Sequence, residues 1–349
     1  MKKFANVHVH TTYCDPQRVE PFLEAVAKTG VTDLAILSLC STKKSEKVEN
    51  LSILWWKSKF KKYRISAFGA LHEADVYAKI PYEVQAEKLL ALGCDGLKFI
   101  HMKPNVRKEI GKGLDHPDYD RMFSMLEERG VPVIIHSGDP EESWDMSTAS
   151  AEAIAKGWCY GDGTYLYCQE HYDECFRMLD KHPKLNVVFA HMFFLSKYRD
   201  EAVRVLEKYP NVKFDLTPGT EMYLNFAKDI DAWHDFFEKY SDRILFGTDS
   251  GDHKYNEAEL HDLVYTALTH DSSEFEMPGF PGKISRGLYL SEKAVENICY
   301  NNYERLIGGR VAPVDMDGVV AAAKQMLVDM KDTATENDIL WLENFIKSV

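Results

Sequence analysis

The 349-residue sequence is short of positive charge: 42 Lys and Arg stand against 55 Asp and Glu, a net charge of −13. A surface of that sign argues against nucleic acid or an anionic membrane as the main partner, although a small pocket can carry its own local charge. No apolar run reaches the roughly 18 residues of a membrane span, and the opening MKKFANVHVH lacks the apolar stretch of a secretion signal. The expectation is therefore a cytoplasmic protein. The seven cysteines (14, 40, 94, 159, 168, 175 and 299) are odd in number and form no C-x-x-C, which suits reduced thiols better than a disulfide framework or a structural zinc site. There is no low-complexity tract and no Pro/Ser-rich linker. No Gly-rich phosphate loop follows the first β-rich run, which counts against a doubly wound nucleotide-binding sheet.

What is present is a repeat. Eight β-rich runs recur at Phe4–His8, Leu34–Leu39, Arg64–Ala70, Gly96–Ile100, Pro132–His136, Asn186–His191, Val212–Leu216 and Ile244–Gly247. Most begin about 30 residues apart, the length of a strand, a crossover helix and two short loops. The intervening segments read as helices: Pro21–Lys28 before Gly30, Pro81–Leu92 before Gly93, and Pro117–Arg129 before Gly130. Pro at the start and Gly past the end is the usual asymmetry of helix termini. Eight units predict an α/β fold, a (β/α)8 TIM-type barrel forming a single domain over residues 1–349. The fifth interval is longer, and its segment Ser137–Tyr167 carries Trp144, Trp158, Tyr160, Tyr165 and Tyr167. It reads as an extended loop on the catalytic face, either a substrate wall or a packed excursion. His253–Leu288 reads as irregular. Helices at Glu292–Leu306 and from Met316 onward, within about 292–349, are expected to pack on the barrel.

The chemistry collects at the predicted strand ends. His8 and His10 follow strand one, Lys98 lies on strand four, His136 closes strand five, His191 closes strand six and Asp249 follows strand eight. In a barrel these ends converge on one mouth, and alternation points His8 and His10 the same way. Any one of these residues has an ordinary explanation as a cap or a buried hydrogen-bonding group. Together, imidazoles and a carboxylate converging at one mouth suit zinc or a similar divalent ion.

The stretches HVH (8–10), GLKF (96–99), PVIIHSGD (132–139), HPKLNVVFAH (182–191), YPNVKFDLT (209–217), LFGTDS (245–250) and ENICYNNYERLIG (296–308) resemble the amidohydrolase superfamily. The likeness is to its amidohydrolase-related (amidohydrolase 2) branch, which includes aminocarboxymuconate-semialdehyde decarboxylase and related lactonases. The resemblance implies a Zn2+ or Mn2+ ion held by His8, His10, His136 and Asp249. It also implies that His191 orients the water or ligates a second metal. Lys98 stands where some members carboxylate a lysine to bridge two ions. Many relatives carry a histidine two residues after that lysine, then a proline; here Phe99 and Ile100 precede His101, which weakens any transfer of a substrate role to it. The first position of the H-x-H is His8, where some decarboxylases of the branch have Glu.

The leading expectation is a metal-dependent hydrolase acting on an amide, cyclic amide or lactone carbonyl. The metal lowers the water pKa from 15.7 to about 7, and Asp249 and His191 serve as catalytic residues. Non-oxidative decarboxylation of a small carboxylic acid in the same site is the alternative. A third reading comes from HVHTTYCD, which resembles the start of polymerase-and-histidinol-phosphatase phosphoesterases. That family continues with Thr-Asp-His where this chain has Ser38, Leu39 and Cys40. Candidate substrate contacts are His72, Arg107, Lys103, Trp144, Tyr160 and Tyr165, each with a packing role as the plainer alternative. The expected partner is a small-molecule substrate, and the resemblance adds a homodimer.

Overall fold

A computed structural model describes residues 3–11, 16–40, 48–73, 75–147, 149, 151–252, 256–309, 311–330 and 334–348. The predicted residues TTYCD lie largely outside this set. The first half of the chain alternates strand and helix. β1 (Phe4–His10) leads to α1 (Pro16–Thr29), β2 (Val31–Leu37) to α2 (Glu49–Lys59), and β3 (Arg64–Gly69) to α3 (Tyr82–Leu92). β4 (Gly96–Met102) is followed by α4 (Pro104–Ile110) and α5 (Asp120–Arg129). Between β5 (Val133–Ser137) and α7 (Cys168–Lys181) lie a 3-10 turn at Glu141–Trp144 and the short α6 (Ala151–Ala155). β6 (Val187–Phe189) precedes α8 (Arg199–Lys208), and β7 (Val212–Asp215) precedes α9 (Thr220–Lys228) and α10 (Ile230–Lys239).

The eighth strand is split into β8 (Ile244–Leu245) and β9 (Ser250–Gly251). All nine strands run parallel in the order β8-β7-β6-β5-β4-β3-β2-β1-β9. Because β8 and β9 are the two halves of one chain segment, the sheet curls back on itself. Two bonds stitch the seam: Val7 N–H donates to Phe246 O at 2.9 Å, and Asp249 N–H to His8 O at 2.9 Å. The fold is of the TIM-type α/β class.

Three features differ from the sequence reading. Pro21 does not begin its helix; Pro16 takes the first turn, and Pro21 sits inside α1, where its fixed φ is helical and only one backbone donor is lost. The stretch expected to be irregular holds a full helix, α11 (Glu257–Thr269), then an antiparallel hairpin of β10 (Glu274–Glu276) and β11 (Ile284–Arg286). The helix over Glu292–Leu306 is interrupted: α12 (Glu292–Glu296) and α13 (Asn302–Ile307) flank a π-turn at Asn297–Asn301.

Inside the barrel, Ala5, Val7, Ala35, Leu37, Phe68, Ile134, Val188 and Leu245 form an apolar layer roofed by Tyr303 and Leu306 of α13. The Tyr303 hydroxyl reaches Ser66 Oγ at 2.7 Å and donates to Leu34 O at 3.1 Å. One end of the barrel is thereby plugged, and the chemistry is confined to the strand C-termini. α14 (Met316–Asp329) packs on α2 and α3, and α15 (Glu336–Ser348) packs on α14. No helix among the described residues is long and apolar enough to cross a membrane.

Candidate metal centre

The site begins with a β-bulge. Against β2, Asn6 pairs with Leu34 and Val9 with Ile36, so β1 spends three residues where its partner spends two. The extra residue shifts the alternation. Ala5 and Val7 face the barrel interior, and so, after the bulge, do His8 and His10, which line the open cavity above. Without it, a β1 that buries Ala5 and Val7 would turn both histidines outward. Asn6 secures the bulge by accepting the His8 N–H at 3.1 Å on its side-chain oxygen.

Each imidazole is fixed in one tautomer. His8 Nδ1 lies 2.9 Å from Asp215 Oδ2 and 3.0 Å from Thr217 Oγ1. A carboxylate can only accept, so His8 Nδ1 carries the proton. His10 Nδ1 donates to Leu37 O at 3.0 Å, and His191 Nδ1 donates to Thr217 O at 3.2 Å. The Nε2 atoms of all three are therefore bare lone pairs. Those of His8 and His10 face each other at 3.1 Å, and Asp249 Oδ1 sits 3.1 Å from the second and 3.6 Å from the first. Two lone pairs and a carboxylate oxygen at these separations repel one another unless a cation lies between them. Lys98 Nζ, 3.2 Å from His8 Nε2, supplies one positive charge. His8, His10 and Asp249 together form a group able to hold a metal ion.

The electrostatics match. Burial, reinforced by Lys98, lowers the His8 pKa to about 3, and burial lowers those of His136 and His191 to about 4. These imidazoles stay neutral, as ligands and acceptors must. Burial raises the carboxyl of Asp215, but the His8 imidazole hydrogen-bonded to it, with help from Thr217, outweighs burial and holds the group well below the usual range. Asp249 is likewise held low by His10, His8 and His191 against the opposing effect of burial. Lys98 is pulled down to about 8 by burial. Gly247 makes room: a Cβ there would lie 2.8 Å from Thr217 Oγ1 and 3.1 Å from His8 Cβ.

The other predicted residues divide. His191 lies edge-to-face with His136 at 4.8 Å and tilted against His8 at 5.6 Å between ring centroids, so the four mouth histidines form one cluster. His136 lines the cavity but does not join the metal group; its Nε2 faces Gly138 O at 3.1 Å and Asp139 Oδ1 at 3.4 Å. The cavity, of about 830 Å3, also takes in Arg18, Glu49, Lys103, Trp158 and Glu221. Lys103 is a wall residue, ion-paired to Asp139 at 2.7 Å. The other five candidate contacts lie outside the wall, among them Tyr165, whose ring lies 4.0 Å from Lys108 Nζ. His72 stacks on Tyr77 at 4.9 Å, and Arg107 makes a two-point ion pair with Glu174 at 2.7 and 2.9 Å. Trp144 donates its indole N–H to Leu166 O at 2.8 Å, and Tyr160 is buried with its hydroxyl on Asp139. His101 is also away from the cavity, held by Glu73 at 3.0 Å. The tryptophan of the long segment that faces the cavity is Trp158, with Lys103 Nζ 4.9 Å from its ring centroid.

Sequence reasoning missed Asp215, Thr217, Asp139 and Glu221. The first two sit in YPNVKFDLT, whose terminal Asp on a strand end was the available signal. His191 opens a turn in which four successive non-glycine residues, His191 to Phe194, have φ between +54 and +56°; nothing in the residue types marks it.

The sequence profile of the amidohydrolase family matches residues 49–309. The chain belongs to that family. The matched span begins after β2, so the bulge and both histidines of the H-x-H lie upstream of it. No match is found among curated proteins. Among solved structures, the amidohydrolase chain is similar to 2,6-dihydroxybenzoate decarboxylase complexed with 2,6-dihydroxybenzoate (17% identity, TM-score 0.54, covering 88% of this chain and 99% of that one). It also resembles 4-oxalomesaconate hydratase from Rhodopseudomonas palustris (12%, TM-score 0.52, 95% and 100%). An uncharacterized TIM-barrel protein from Bordetella bronchiseptica is a third (17%, TM-score 0.52, 88% and 100%). At these identities the likeness is one of fold.

Proposed function

We propose that this amidohydrolase is a metal-dependent hydrolase of a small amide, cyclic amide or lactone. The observation that carries the reading is the convergence of the bare His8 and His10 Nε2 atoms with the Asp249 carboxylate at the foot of an open cavity. These three residues would hold a divalent zinc or manganese ion, with His136 and His191 beside it. Such an ion, when bound, polarises a carbonyl and lowers the pKa of water to about 7.

The chain's own groups do the rest. Asp249, ionised at neutral pH, accepts the proton of the attacking water and returns it to the leaving nitrogen or oxygen. His191 presents a bare Nε2, so it accepts a hydrogen bond from that water and orients its lone pair toward the carbonyl. Lys98 is the buried cationic donor on the same wall. Trp158 and Lys103 line the space left for the rest of the substrate.

Non-oxidative decarboxylation is the second reading, favoured by the fold shared with 2,6-dihydroxybenzoate decarboxylase and by the cations Arg18, Lys98 and Lys103 in the wall. Metal content of protein purified without chelator, followed by turnover of lactones, amides and aromatic carboxylates in 18O-labelled water, separates the two. Label in one organic product supports hydrolysis; CO2 release with no label in the organic product supports decarboxylation. Absence of any bound divalent ion overturns both.

A further inference from the structure

Behind the centre, on the far side of the bulge, lies a buried carboxylate that no step above uses. Glu257 is the first residue of α11 and is fully buried. Its oxygens accept hydrogen bonds from Asn6 Nδ2 at 3.1 Å, from Thr248 Oγ1 at 2.8 Å and from the Ser250 hydroxyl. Thr248 and Ser250 are the two neighbours of Asp249 in the chain. Asp249 has φ +55°, a left-handed backbone that a non-glycine residue adopts only when its surroundings impose it. Asn6 is the residue that secures the bulge. Its side-chain oxygen takes both the His8 N–H at 3.1 Å and the Thr248 N–H at 3.2 Å, and its amide reaches Thr248 Oγ1 at 2.6 Å.

One carboxylate and one amide thus grip both segments that supply the metal group. We propose that Glu257 is a positioning residue for the metal centre: with Asn6 it locks the bulge that presents His8 and His10 to the left-handed turn that presents Asp249. The inference rests on the metal-centre reading above. Glu257 touches none of the three ligand side chains; it acts through the backbone on either side of them. Supporting groups of this kind are worth about 10- to 100-fold in metal affinity.

The test titrates chelator-stripped protein with ZnCl2 by calorimetry, alongside thermal melts of the metal-free chain. Glu257→Ala is expected to weaken Zn2+ binding by about 10- to 100-fold, and Glu257→Gln, which keeps one accepting oxygen, by less. Asn302→Ala is the control for stability alone. The Asn302 side chain donates to Ser241 O at 2.7 Å and to Ile244 O at 2.5 Å, five residues before Asp249, and bonds to neither of the two stretches that Glu257 and Asn6 grip, so its loss should lower the melting temperature with affinity intact. A crystal structure of metal-free Glu257→Ala should show Asp249 out of the left-handed region. Wild-type affinity in Glu257→Ala overturns the inference alone, as does an equal loss of affinity in Asn302→Ala. No Zn2+ binding by the wild-type chain overturns the metal centre itself and the inference with it.

Discussion

His8 and Asp215 are both buried, and His8 donates its Nδ1 proton to Asp215 Oδ2 across 2.9 Å. That bond decides which nitrogen of His8 is free to meet a metal. The same carboxylate accepts the His191 backbone N–H at 2.8 Å through its other oxygen, so one side chain aims two members of the cluster. Asp215→Ala should lower Zn2+ affinity by about 10- to 100-fold. Asp215→Asn should do no better, because its amide offers a donor where His8 needs an acceptor. Calorimetric titration of both variants checks this, and unchanged affinity in the asparagine variant would contradict the tautomer argument.

Glu221 lines the cavity, and burial pushes its carboxyl up to about 7. Between the ordinary value of 4.5 and 7, the folded chain keeps this proton while the unfolded chain releases it, so stability contributed here falls as pH rises through that window. Glu221→Gln removes the titration. Its melting temperature should gain on that of the wild type between pH 5 and pH 8; parallel curves would show that Glu221 is ionised throughout.

His171 behaves oppositely. Burial, with Arg107 beside it, lowers its pKa to about 4. Below pH 6.5 the unfolded chain takes up a proton that the folded chain refuses, so stability falls as pH drops from 6.5 toward 4. The slope approaches about 1.4 kcal/mol per pH unit for a single group. Replacing His171 with Phe should flatten the acid limb of a urea-denaturation series, and an unaltered slope would refute it.

Lys57 is buried with its ammonium on Asp95 Oδ2 at 2.5 Å and Gly93 O at 2.7 Å. Asp95 in turn accepts the N–H groups of Ala67 and Ala312, tying β3 to the segment before α14. Lys57→Met leaves that carboxylate buried without its cation, a loss of about 3–5 kcal/mol. The melting temperature should drop sharply while Zn2+ affinity in the folded fraction stays at the wild-type value.

Strands were the legible part of this chain. Each run of β-branched and aromatic residues near a 30-residue spacing became a strand, because buried parallel strands need continuous apolar sequence. Lys98, His136, His191 and Asp249 came with them, as strand-end residues converge by topology. The bulge was not legible: Asn6 is an ordinary polar residue until its partners, far off in the sequence, are known. α11 was hidden by the Gly/Pro-containing hairpin after it. Trp144 and Trp158 look alike in sequence, and only the path of the segment around α6 turns the second toward the cavity and the first toward Leu166.

The seam between β1 and the split eighth strand has a consequence for how the candidate site is assembled. Asn6 and Glu257, which grip it, are 251 residues apart. Asp249 follows His10 by 239 residues, so a growing polypeptide displays its two histidines long before their carboxylate partner has been made. The centre is among the most non-local contacts in the fold, and contacts of that kind cost loop-closure entropy before they repay it. A chain cut before Asp249 therefore carries the H-x-H without its carboxylate, and the group of three is complete only when the seam has closed.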